Sequence, residues 1–92
     1  MKIFLDTIDL NEIKKYNEIL NIAGITTNPN LARRFGMSDD IEMVREIGKV
    51  IGKNKEIHVE AFGDTSEEII KNSKRIKKNC SNFNLVFKIP FS

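Results

Sequence analysis

A chain of 92 residues with 40% hydrophobic and 30% charged side chains has room for one small core, and its composition is that of a globular domain rather than a disordered segment. A formal net charge of +2 leaves no electrostatic footprint for nucleic acid or an anionic membrane. One cysteine, Cys80, excludes an internal disulfide framework and suits a reducing compartment. There is no apolar stretch of about 18 residues for a membrane span and no signal-peptide core, so a cytoplasmic protein is expected.

The first element is Lys2 to Asp6 (KIFLD), a short apolar run that ends on an acid. Asp9 then caps a helix, with Glu12 as its reciprocal capping partner. Leu10, Ile13, Asn17 and Leu20 fall on one stripe, supported by Tyr16 and Ile19, which predicts an amphipathic helix over 10–20 ended by Asn21. Ile22 to Thr26 (IAGIT) is the next strand, stopped by the turn signal Asn28-Pro29. Asn30 caps a short helical turn from Leu31 to Arg34, closed by Gly36. Ser38 caps the following helix, with Asp39 and Asp40 in its first turn. Ile41, Val44, Ile47 and Ile51 keep helical spacing, and Gly52 is the stop.

Glu56 to Phe62 (EIHVEAF) alternates Ile57, Val59 and Ala61 against His58, Glu60 and Phe62, the pattern of a strand. Thr65-Ser66-Glu67-Glu68 is a capping box, followed by Ile69, Ser73, Ile76 and Cys80 at helical spacing. The basic residues between Lys71 and Lys78 read as that helix's solvated face, and Cys80 as a packing residue near its end. The last element is Asn84 to Pro90 (NLVFKIP), an apolar run that reads as a strand buried on both faces. A lysine sits in the middle of it. Lys88 must therefore snorkel out of the strand end, pair with a carboxylate, or lose its proton and become a nucleophile toward carbonyl carbon. The competing reading is an edge strand with Lys88 in water.

The order βαβαβαβ implies an α/β fold with a parallel sheet and right-handed crossovers. Alternation along a strand makes parity informative. Phe4 and Asp6 share one face, as do Gly24, Thr26 and Asn28, His58 and Glu60, and Val86 and Lys88. Each strand thus carries a polar residue near its carboxyl end, where parallel α/β folds form their ligand crevice. If these faces are the inner ones, Asp6, Thr26, Asn28, Glu60 and Lys88 converge. His58 alone reads more simply as a structural histidine. One His and one Cys are too few for a zinc site, and neither G-x-G-x-x-G nor a P-loop is present, so neither a metal nor a nucleotide cofactor is expected.

The segments "KIFLDT", "GITTNPN", "HVEAF" and "VFKIP" come in the order and spacing of the transaldolase family, and the chain resembles its short-chain branch, which also contains fructose-6-phosphate aldolases. The resemblance covers essentially the whole chain. It implies the N-terminal half of a TIM (β/α)8 barrel and chemistry through a Schiff base on a ketose phosphate. By resemblance Lys88 is the Schiff-base lysine, and Asp6 is the acid/base carboxylate for the donor's hydroxyl proton. Asn28 hydrogen-bonds the dihydroxyacetone unit, Thr26 lines the same pocket, and Glu60 works through a water in imine formation and hydrolysis. The aldolase relatives carry glutamine in that place, so Glu60 favours transfer of the unit between sugar phosphates, a step of the pentose phosphate pathway, over its release.

A (β/α)8 barrel takes about 250 residues. Residues 1–92 are therefore expected to be a single partial barrel unit, truncated after the fourth strand, without the family's phosphate-gripping serine and arginine. Half a barrel leaves two open sheet edges and apolar inner faces, so a homo-oligomer, or a non-catalytic half-barrel that binds a partner, is the alternative expectation.

Overall fold

The computed structural model of the chain describes residues 1–90. Eight elements follow one another: β1 (Phe4–Asp6), α1 (Leu10–Ile19), β2 (Gly24–Thr26), α2 (Pro29–Arg34), α3 (Asp40–Ile51), β3 (Glu56–Val59), α4 (Ser66–Asn79) and β4 (Asn84–Phe87). The strands form one sheet in the order β1-β2-β3-β4, every neighbouring pair parallel. This is the expected βαβαβαβ half of a (β/α)8 barrel, with α2 as a short extra helix ahead of α3.

Local sequence explains where the helices start, though several caps differ from expectation. Asp9 does cap α1, accepting from the Asn11 and Glu12 backbone N–H groups. Glu12 does not return to the Asp9 N–H, however. That N–H donates to Thr7 Oγ1, and the Thr7 hydroxyl donates to Glu12, so the reciprocal bond is relayed through a third side chain. Asn28, not Asn30, caps α2, because Pro29 at the first helical position needs no N–H acceptor and Asn28 can then accept from Leu31. Asp39, not Ser38, caps α3. Thr65 caps α4 as expected, while Glu68 accepts from Asp64 one residue ahead of the cap. Gly36 (φ 68°) and Gly52 (φ 81°) take up the left-handed conformation that ends α2 and α3.

Buried residues of α1, α3 and α4 cover one face of the sheet. Ile25, Ile57 and Val59 are wholly excluded from solvent and pack with Val44, Ile47 and Ile76, while Leu5, Leu85 and Phe87 extend the same layer less completely. Burying an Ile or Val in this way is worth about 1.5–3 kcal/mol apiece. The α1 stripe is narrower than expected. Only Ile13 is buried; Leu10, Tyr16, Ile19 and Leu20 are exposed, and Asn17 accepts a hydrogen bond from Lys55. In α3 the buried set adds Met43 to Val44, Ile47 and Ile51, and Ile41 stays partly exposed.

A polar clamp ties α3 to α4. Arg75 donates to Asp40 Oδ1 at 3.0 Å, and Asp40 is buried with its second oxygen unpartnered. The rest of the basic run on α4 is solvated, as its spacing suggested. Cys80 closes α4 and is fully buried; burial pushes its thiol pKa up, against a smaller opposing pull from Arg45.

The last strand departs from expectation. β4 is not buried on both faces: Leu85 and Phe87 are half-buried toward the helices, while Asn84, Val86 and Lys88 are exposed. The reason is position. β4 pairs with β3 alone among the described residues, so one side of its ladder is open. The face opposite the helices is also less apolar than expected. Phe4 and Val86 are its large apolar residues among Asp6, Thr26, Glu56, His58, Glu60 and Lys88. No helix among the described residues is long and apolar enough to cross a membrane.

Candidate active site

The register of the sheet arranges its open face in rows. Phe4, Gly24, Glu56 and Asn84 are level across the four strands, and Asp6, Thr26, His58 and Val86 form the next row toward the carboxyl ends. Lys88 extends the ladder past β4, its N–H donating to the Val59 carbonyl at 2.8 Å. The same register carried one step further brings Glu60 level with Lys88 in a third row.

Gly24 decides how the first two rows pack. A Cβ there would sit 2.0 Å from the Glu56 carbonyl oxygen, so β2 can carry no side chain at this point. The Phe4 and His58 rings meet instead, edge to face, with centroids 4.8 Å apart although their strands flank β2. His58 Nε2 is also 2.8 Å from Glu56 Oε1. With a ring on one side and a carboxylate on the other, His58 is occupied structurally, which agrees with the simpler reading of it.

Of the five residues singled out by sequence, two are in contact. The Thr26 hydroxyl donates to Asp6 Oδ1 at 3.0 Å, fixing the carboxylate of one edge strand from its neighbour. Asn28 spends its Oδ1 on the Leu31 N–H and keeps its Nδ2 donors for another partner. Glu60 is half-buried in a cleft of about 510 Å³ between α2 and the β3–α4 loop. Arg33, Phe62 and Asp64 line the same cleft. Lys88 is exposed at the open side of the sheet.

The convergence is therefore partial. Asp6 and Lys88 belong to opposite edges of the sheet, with β2 and β3 between them. At about 4.8 Å per strand, that is roughly 14 Å along the ladder before any curling of the sheet. The ion pairs among the described residues are Lys49–Glu46, His58–Glu56 and Arg75–Asp40, so Lys88 is paired with neither Asp6 nor Glu60. Asp6 lines its own depression of about 310 Å³ with Tyr16, Leu31 and Phe35. Of the readings open for Lys88, the described residues show the edge strand with its lysine in water, because covering it needs a neighbour beyond β4. Glu56 was not singled out from sequence, although its parity with His58 and Glu60 was the available signal.

A wider groove lies elsewhere. It measures about 610 Å³ and runs outside the sheet between α4 and β4, with Phe83, Leu85 and Phe87 as floor and Lys74, Lys77 and Lys78 at the rim. It brings no acid and base together and follows the open flank of β4. No group of three potential metal-ligating side chains occurs among the described residues.

Comparison with known proteins bears on these placements. A family model described as "Transaldolase/Fructose-6-phosphate aldolase" matches residues 3–92. The chain is 36% identical over 90 residues to a protein named "Probable fructose-6-phosphate aldolase" of Streptococcus pneumoniae, covering 98% of this chain and 40% of that one. It is 38% identical over 92 residues to a "Probable transaldolase" of a Thermoanaerobacter species, covering 100% of this chain and 40% of that protein. Identity to a "Probable transaldolase" of Clostridium botulinum is 39% over 90 residues, with 98% and 40% covered. The chain spans about 40% of the length of these relatives.

Proposed function

This chain belongs to the transaldolase/fructose-6-phosphate aldolase family, and on that premise we propose that it carries the Schiff-base side of a transaldolase-type reaction, moving a dihydroxyacetone unit between sugar phosphates in the cytoplasm. The observation that carries the proposal is the common face. Asp6, Thr26, Glu60 and Lys88 share one parity at the carboxyl-terminal end of a parallel sheet, Glu60 and Lys88 by continuing the register past β3 and β4. Residues 1–92 act in this reading as one partial barrel unit, whose site needs a neighbour beyond β4 to exclude water from Lys88.

The chemistry assigns each group a task. The amine of Lys88, neutral at the moment of attack, adds to the ketone carbon, and loss of water gives the imine. Glu60, level with it, moves the protons of that step through a bridging water. Asp6, oriented by the Thr26 hydroxyl, takes the proton of the hydroxyl next to the scissile carbon–carbon bond. The bond breaks, and the iminium accepts the electron pair as an enamine. An incoming aldehyde reverses the sequence, and Asn28 Nδ2 holds an oxygen of the tethered unit throughout.

Borohydride reduction in the presence of fructose 6-phosphate, followed by peptide mass mapping, tests this. An adduct is expected on Lys88 and lost in Lys88→Met. No adduct at Lys88, in the chain or in its assembled form, overturns the proposal. The exposed β4 flank and its groove favour a second reading, a non-catalytic half-barrel that self-associates or binds a partner. A stable oligomer by light scattering without any adduct would select it.

A further inference from the structure

We propose that a second copy of this chain pairs its β1, in parallel, with the open edge of β4, so that Lys88 of one copy works beside Asp6 of the partner subunit. The inference rests on the Schiff-base reading for the tasks of these two residues, and it names the neighbour which that site needs.

Among the described residues the sheet ends on β1 at one side and on β4 at the other, and each edge strand runs parallel to its neighbour. Two copies bring the strands to about eight, the number at which a tilted sheet closes with side chains filling its interior. A twofold axis makes the two junctions equivalent, and no edge is left. The stagger of such a barrel, about eight residues, divides into two even shifts, and an even shift keeps the alternation of faces in step. Lys88 and the partner's Asp6 then face the same interior from adjacent strands, about 4.8 Å apart, where roughly 14 Å of sheet separates Lys88 from Asp6 of its own copy. Thr26 already holds that acid from its other side, at 3.0 Å.

Exposed apolar side chains gather at the same two sides. Leu10, Tyr16, Ile19 and Leu20 lie on α1 and its C-cap, Ile70 and Val86 lie on α4 and β4, and none among the described residues lies on β2, α3 or β3. Closure brings the partner's α1 to the flank that carries the groove of about 610 Å³ floored by Phe83, Leu85 and Phe87. Charge decides which edges meet. Pairing β4 with another β4 would set the Lys74, Lys77 and Lys78 rims of two copies against each other, whereas β1 offers an acid to the amine of Lys88.

Light scattering on the 92-residue chain is expected to give a two-chain mass. Asp6→Lys and Lys88→Asp should each weaken the dimer about tenfold or more while circular dichroism stays native, and the double variant should recover it. Chains carrying Lys88→Met and chains carrying Asp6→Asn are then refolded together. Each alone should be inactive in transfer from fructose 6-phosphate. Mixed dimers hold one intact pair, so about a quarter of the turnover should return on random assortment. A monomeric chain overturns the inference. So does a dimer that the double variant fails to recover, or a mixture that stays silent while the unmutated dimer turns over. Borohydride trapping is read separately. An adduct on Lys88 in a monomer sinks the partner's contribution alone, and a recovered dimer without an adduct sinks the Schiff-base reading and leaves the strand pairing standing.

Discussion

Ile25, Ile57 and Val59 point from the sheet into the helices and are closed to solvent, whereas Thr26, His58 and Glu60, each next in the chain, point the other way and remain partly exposed. The same backbone supports both sets, and a shift of register by one residue would exchange them. The helix-facing set is saturated by its own chain. The opposite set is only partly satisfied: Thr26 holds Asp6 and Glu56 holds His58, while Lys88 and the Glu60 carboxylate have no partner among the described residues. Stability is concentrated on one parity and unspent chemistry on the other.

The largest expected effect challenges that division. Gly24 belongs by parity to the open face, yet a side chain there collides with the backbone of β3. Gly24→Val should cost about 4 kcal/mol or more and abolish cooperative thermal unfolding by circular dichroism. Ile57→Ala, on the helix side, should lower stability by about 3 kcal/mol in urea, mostly from the cavity it leaves. Arg75→Met strands the buried Asp40 carboxylate and should cost about 2 kcal/mol, less than a fully buried pair because Arg75 is half exposed. Thr26→Val deletes a hydrogen bond on the open face. Its stability loss should stay within about 1 kcal/mol in the same urea assay, while Lys88 trapping slows, and a larger loss would erase the contrast between the faces.

Much of this was legible in the residues. Alternation in EIHVEAF assigned Ile57 and Val59 to one face and His58 and Glu60 to the other, and the helix spacing picked Ile47, Ile69 and Ile76 for the core. Caps were less legible, because Ser38, Asp39 and Asn30 can all cap in principle and only backbone geometry chooses among neighbours. The α1 stripe was over-read, since helical spacing says which residues share a side and not how much of it is covered. Burial of β4 was over-read for a related reason. An apolar run such as NLVFKIP reports that both faces suit burial, but the cover must come from a neighbour. Parity put Asp6 beside Thr26 correctly. It could not assign the Glu60 side chain to the cleft with Arg33 and Asp64, which depends on the path of the β3–α4 loop.

The lone thiol of Cys80 has a practical consequence. It is sealed at the junction of α4, α3 and the run into β4, and its raised pKa keeps it in the unreactive protonated form near neutrality. A thiol reagent can reach it only when that corner opens. The rate of its labelling therefore times the separation of α4 from the sheet, so the protein carries its own stopwatch for local unfolding at the flank where β4, among the described residues, pairs with β3 alone.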